Sequence, residues 1–270
     1  MSLNHSQNLY HQQVVAAYGS TVRYSGKSEQ SKFSLSRVIF RNHQHKTTLT
    51  ASLWTKQSHN FINDNEVLVQ RKRTSGWEAA LNHKAYLGKT TLEVGLQYKR
   101  GTGANNAIRY PEERFNEGTS RMQIISASAA LTYPFHLAQQ KFIFHSQWQA
   151  QWNKTPLVPQ DYFSVGGRYS VRGTDGKLSL SAERGWNWRN ELAWHIGNSK
   201  QQLFASLDVG RVSGEAVKNL LGNRLIGSAF GVRGSWSRLN YEMFVGKPLY
   251  LPQGFRSSST VLGFNLSVSF

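Results

Sequence analysis

The chain has 270 residues, of which 17% are charged and 12% aromatic, and it has no cysteine. Lys and Arg number 32 against 15 Asp and Glu, a formal charge of +17 that suits an anionic partner such as nucleic acid, lipopolysaccharide or an acidic polypeptide. The lack of cysteine excludes a disulfide scaffold and thiolate metal sites, and no run approaches the roughly 18 apolar residues of a membrane helix.

In chain order, Met1-Ser2-Leu3-Asn4-His5 leads into polar residues without the basic start and apolar core of a secretory leader. Strand-like runs then follow one another. Val14 to Tyr24 and Phe33 to Phe40 are the weaker ones, and Thr47 to Thr55 sets Leu49, Ala51 and Leu53 on one face. In the second half of Val67 to Lys84, Trp77, Ala79 and Leu81 oppose Glu78, Ala80 and Asn82, and after a turn Leu92, Val94, Leu96 and Tyr98 oppose Glu93, Gly95, Gln97 and Lys99. Ile125 to Tyr133, ended by Pro134-Phe135, and Phe142 to Trp152 repeat the pattern. So do Trp186 to Ile196, Leu203 to Val209, Leu225 to Trp236 and Leu239 to Lys247. Val261 to Phe270 is the clearest, with Leu262, Phe264, Leu266, Val268 and Phe270 against small or polar neighbours. Period-two alternation over about twelve segments predicts an all-β chain.

The connections alternate in length. Asn42 to Lys46, Leu87 to Thr90, Gly197 to Lys200 and Ser237-Arg238 are turn-sized, whereas Ser58 to Glu66, Gly101 to Thr119, Lys154 to Glu183, Ser213 to Asn223 and Tyr250 to Ser257 are long. Short turns on one rim, long loops on the other and aromatics near strand ends predict an outer-membrane antiparallel β-barrel. Such a barrel satisfies every backbone hydrogen bond in lipid. Its average hydropathy looks soluble because alternate residues face the lumen; here it is −0.49. A soluble β-sandwich is the competing fold.

The longest connection separates the Phe142–Trp152 and Trp186–Ile196 strands. It contains Gly166-Gly167-Arg168, then Val171-Arg172-Gly173, and ends at Glu183-Arg184-Gly185. Glycines this dense imply tight turns and close packing, and Tyr162, Phe163 and Tyr169 argue against disorder. The run Asp161-Tyr162-Phe163-Ser164-Val165-Gly166-Gly167-Arg168-Tyr169-Ser170-Val171-Arg172-Gly173 resembles the signature loop of the two-partner secretion transporters, the haemolysin secretion/activation (ShlB/FhaC/HecB) family. Trp188-Arg189-Asn190-Glu191-Leu192, Asp208-Val209-Gly210-Arg211-Val212 and Phe244-Val245-Gly246-Lys247-Pro248-Leu249 resemble it as well.

The resemblance implies the last dozen or so strands of a sixteen-stranded barrel, so that residues 1–270 form a C-terminal barrel domain. By this resemblance the signal peptide, the periplasmic POTRA domains and the first strands of that family are expected to be missing, and the chain is expected to be an N-terminally truncated copy or fragment. The Lys154 to Glu183 loop would follow the family's eleventh strand and fold back into the lumen. By alternation Asp208 points into the lumen between Ser206 and Gly210, where Gly210 leaves room for a neighbouring backbone. Arg172 is then expected on Asp208, because a guanidinium fits a carboxylate in bidentate fashion. Glu183, Arg184, Arg189 and Glu191 are further lumen or loop positions. Phe270 is expected to be read by the barrel-assembly machinery as part of the last strand. Thr174 stands where the family has an aromatic, which predicts weaker anchoring of the loop.

The function implied is export of a large partner exoprotein (an adhesin, haemolysin or contact-dependent toxin) across the cell outer membrane of a Gram-negative bacterium by type V secretion. The partners are that exoprotein, outer-membrane lipid and the assembly machinery, with no nucleic acid and no cofactor. The alternatives are a barrel-assembly insertase of the same superfamily, a general porin, or a soluble basic domain. No Gly-x-Ser-x-Gly elbow and no His-x-x-x-His or His-x-x-Glu-His spacing occurs. His145, His195 and Asp208 do not make a catalytic set, so no enzyme is expected. Arg71-Lys72-Arg73 reads as a solvated patch, having no aromatic stacking platform.

Overall fold

In the computed structural model, residues 1–15, 21–68, 71–197 and 199–268 are described. The strands are β1 (Ser2–Val15), β2 (Thr21–Arg41), β3 (His45–Ile62), β4 (Asn65–Glu66), β5 (Lys72–Leu87), β6 (Thr90–Thr102), β7 (Gln123–Leu137) and β8 (Gln140–Asn153). They continue as β9 (Phe163–Val165), β10 (Leu180–Ala182), β11 (Arg184–His195), β12 (Gln202–Ser213), β13 (Arg224–Trp236), β14 (Leu239–Tyr250) and β15 (Val261–Val268). Twelve long strands form one antiparallel wall in which each neighbours the next long strand in sequence; β4 pairs only with β3, and β9 and β10 form a separate hairpin. Among the described residues β1 and β15 are the two edges of the wall.

Register fixes which side chains share a face. Glu191 on β11 lies opposite His145 on β8 and Ser206 on β12. Asp208 lies opposite Arg189 on β11 and Gly227 on β13. These polar residues occupy the inner face, against which the long loop packs. The outer face carries Trp188, Leu192, Leu207, Phe230, Met243, Val245, Leu262 and Phe264, all exposed. Large apolar side chains left exposed in register across a whole sheet face are what a lipid-facing wall requires. The inner face is polar but not free of apolar side chains. Phe204 and Phe244 pack with Ala193 and Ala229, and Trp54, Met122, Ile124 and Leu157 form a second cluster, over whose Trp54 ring the Lys99 ammonium sits 4.6 Å from the centroid.

The first part of the chain differs from its expectation. Val14 to Tyr24 is not one strand: Val14 pairs with Val22 and Val15 with Thr21, so this stretch joins β1 to β2, and residues 16–20 lie outside the described ones. The first strand is Ser2–Val15, whose polar sequence lacks the apolar alternation that marks the other strands. The β2 strand is more than twice the length read for it. Pro134 and Phe135 do not end β7; they pair with Ile143 and Phe142 inside it.

Candidate functional site

The segment from Lys154 to Glu183 builds the site. A single 3-10 turn at Pro159–Asp161 leads into β9, which returns as β10 through the pairs Leu180–Val165, Ser181–Ser164 and Ala182–Phe163. Between them the backbone coils tightly. Gly166, Gly167 and Gly173 have φ of 137°, 82° and 93°, and the Val171 amide donates to the Gly167 carbonyl at 3.0 Å. The Ser170 hydroxyl accepts from the Gly166 amide at 2.8 Å. Thr174 is tied into the coil. Its hydroxyl is buried, accepts from the Gly167 amide at 2.7 Å and donates to the Val171 carbonyl at 2.8 Å. These hydrogen bonds hold the position that was expected to anchor the loop more weakly.

The coil is held to the wall in three ways. Its apolar residues Val165, Val171, Leu180 and Ala182 pack with Val212 of β12, Leu225 of β13 and Phe255 of the β14–β15 loop, all buried. Asp175 accepts from the Ser258 backbone amide at 2.9 Å and from its hydroxyl at 3.0 Å, and the Ser258 amide is the first cause holding the Asp175 carboxyl below its usual range. The third is close backbone contact. A Cβ on Gly246 of β14 would lie 2.8 Å from the Gly173 Cα, and a Cβ on Gly227 of β13 would meet the Arg172 carbonyl. Gly210 plays a different part from the one expected: the atoms above it are side chains, Val165 Cγ1 at 2.9 Å and Val171 Cγ2 at 3.0 Å from a Cβ placed there.

These contacts bring Arg172 down onto the inner wall. Its Nε donates to Asp208 Oδ2 at 2.7 Å and its Nη2 to Oδ1 at 2.8 Å, while its own backbone amide donates to Oδ2 at 2.9 Å. Asp208 is fully buried and Arg172 is 7% exposed. The remaining fork nitrogen, Nη1, donates to Glu191 Oε2. One guanidinium thus spans carboxylates on two adjacent strands, and both Asp208 oxygens are occupied by it.

The pair belongs to a larger network. Glu191 Oε1 also meets Arg233 Nη1 at 2.7 Å. Glu242 lies 3.9 Å from both Arg233 and Arg168. Arg189 Nε is 3.8 Å from Asp208 Oδ2 and makes no hydrogen bond. Arg168 reaches back along the wall to lie over the Phe244 ring. The network counts four arginines and three carboxylates, and all but the buried Asp208 line a cavity of about 390 Å³ together with His145, Gln147 and Tyr169. His145 faces that cavity, whereas His195 bonds Gln202 at 2.8 Å.

The other anticipated positions lie at the rim. Glu183 accepts from the Ala216 amide at 3.1 Å and its carbonyl accepts from Gln151 at 3.2 Å, so it ties the loop to its neighbour. Arg184 is exposed on the outer face and donates to Asn153 Oδ1 at 2.6 Å. Arg71 pairs with Glu66 and Lys72 with Glu112. Phe270 lies outside the described residues. Sequence reasoning missed Glu191 as the second carboxylate on Arg172, and missed Gly227 and Gly246 as the landing strip for the loop. The signal was there in the inward phase of β13 and β14, where Gly227, Ala229, Gly231 and Gly246 are all small.

Residues 1–234 match the family described as haemolysin secretion/activation protein ShlB/FhaC/HecB. The chain is 29% identical over 262 residues to the outer membrane transporter CdiB-2 of Burkholderia pseudomallei, covering 96% of this chain and 45% of that protein. It is 22% identical to the hemolysin transporter protein ShlB of Serratia marcescens, over 78% of this chain and 36% of that one. In structure it is similar to CdiB from Acinetobacter baumannii, with a TM-score of 0.86 at 32% identity, covering 99% of this chain and 47% of that chain. CdiB from Escherichia coli shares the fold at a TM-score of 0.89 and 23% identity. The chain therefore spans about half the length of the relatives it matches. Its wall is that of an outer-membrane β-barrel, and the chain belongs to the haemolysin secretion/activation family ShlB/FhaC/HecB.

Proposed function

We propose that this chain supplies the C-terminal wall and the lumen loop of an outer-membrane transporter that exports a large partner exoprotein in two-partner secretion. The observation that carries the reading is Arg172. A charged side chain sits on the inner wall between Asp208 and Glu191, on a loop whose whole local structure serves to place it there.

In this reading the loop occupies the lumen at rest. Its network carries one more positive charge than negative, which favours an acidic segment of an unfolded polypeptide over a basic one. Transport draws on no nucleotide; folding of the exoprotein outside supplies the direction. The reading contains no reaction and no catalytic residue.

The test is secretion by a transporter carrying this barrel segment with Arg172→Ala. The exoprotein in the culture medium should fall sharply while the heat-modifiable barrel band in the outer membrane stays at its usual level. Normal secretion by that variant would remove the loop from the mechanism.

A further inference from the structure

The arginines of the inner wall and those of the outer wall are treated differently. Each inner arginine of the loop network lies within 4 Å of a carboxylate. On the outer face from β11 to β15, alternation places Arg184, Arg211, Arg224 and Lys247, all exposed, and not one Asp or Glu. None of the four makes an ion pair among the described residues.

Their arrangement is not random. Arg211 and Arg224 sit directly opposite each other on β12 and β13, a like-charge pairing that destabilises a sheet unless an anion lies between them. Trp186 flanks Arg211 on β11, and the Arg224 guanidinium lies 4.5 Å from the centre of the Tyr250 ring on β14. Arg184 stands one turn of the pleat above Trp186, and Lys247 faces outward opposite Ser228. All lie at or near the ends of strands that run into the long loops, on the rim opposite the short turns. Outward-facing cations are tolerated at that height, where the cost is about 0–1 kcal/mol against roughly 2–4 kcal/mol at the midplane. Paired tryptophan and tyrosine mark the same level as a membrane interface.

We propose that Arg211 and Arg224, with Arg184 and Lys247 beside them, form a binding site for the phosphate groups of a phosphorylated glycolipid in the outer leaflet. Two guanidinium forks on adjacent strands suit a phosphate better than two ammonium groups, because each fork presents paired N–H donors to its oxygens. The anion removes the like-charge repulsion across β12 and β13, and Trp186 and Tyr250 cover the upper acyl chain. The site rests on the outer-membrane setting of the wall and not on the transport mechanism.

The purified chain in neutral detergent micelles, titrated with bisphosphorylated lipid A and followed by tryptophan fluorescence and native mass spectrometry, tests this. Dephosphorylated lipid A should bind about tenfold more weakly, as should bisphosphorylated lipid A to the Arg211→Gln/Arg224→Gln variant. Arg37→Gln, an outward arginine near the other rim, should leave binding unchanged, and millimolar inorganic phosphate should not displace the lipid. Equal binding of the two lipids, or full affinity in the double variant, would overturn the proposal; displacement by inorganic phosphate would show a free-anion site instead. The two-lipid comparison on the unaltered chain decides the matter even if the double variant does not fold.

Discussion

Arg172 makes the lock through four separate groups. Its backbone amide, Nε and Nη2 all go to Asp208, and its Nη1 goes to Glu191. Removing its side chain leaves the fully buried Asp208 with only the backbone amide and the more distant Arg189, while Glu191 keeps Arg233. Breaking a buried pair from one side costs about 3–5 kcal/mol because a lone charge is left behind. Arg172→Ala should therefore lower the stability of the folded chain in micelles by that order, read from the urea midpoint of the heat-modifiable band. Arg172→Lys should recover only part of it, since an ammonium cannot bridge two strands as a planar fork does. The Arg172→Ala/Asp208→Ala double variant should fall well short of the sum of the two single losses; full additivity would mean the two residues are not coupled. Asp208 was legible in the sequence because strict alternation on β12 assigns it a face. Glu191 sits on an equally regular strand, but which inward carboxylate a guanidinium 19 residues away reaches depends on how the loop coils, and no periodicity encodes that.

At the scale of elements, the loop is a small folded unit clamped to the wall. Gly173 is the position where its backbone is least replaceable: φ is 93°, and a Cβ would run into the Lys247 carbonyl. Gly173→Ala should undock the central coil while leaving the wall intact, and so should Gly246→Val from the other side of the contact. The readout is tryptic cutting after Arg168 and Lys177, which should accelerate in both variants. Unchanged cutting would mean the coil is held without that contact. Asp175→Ala, which removes the acceptor for Ser258, should speed cutting after Lys177 with a smaller effect at Arg168. The strands themselves were legible wherever apolar and polar residues alternate, from Thr47 onward. They were not legible in Ser2–Val15, where both faces are polar, or at Pro134, which tertiary pairing keeps inside β7. The loop hairpin of β9 and β10 is three residues per strand, too short for any period to show.

For the whole molecule, one structural fact governs the rest: a wall whose outer face is apolar has its inner face covered by a segment of its own chain. The hydrophobic cluster of the loop, the Asp175 contacts and the Arg172 lock together dock the loop against β11 to β14. The most direct measurement is a disulfide between Val165→Cys and Gly210→Cys, made in a chain that has no cysteine of its own. A Cβ at position 210 falls 3.0 Å from the Val165 Cβ, near the ~3.5–4.5 Å that a disulfide takes up. Mild oxidation of intact outer membranes should link the two cysteines nearly completely, to the same extent as a wall pair at Ser206 and Ala229, which face each other across β12 and β13. A wall pair that links while the loop pair stays reduced would show that the loop does not lie against the inner wall, and the account of Arg172 as its lock would be wrong.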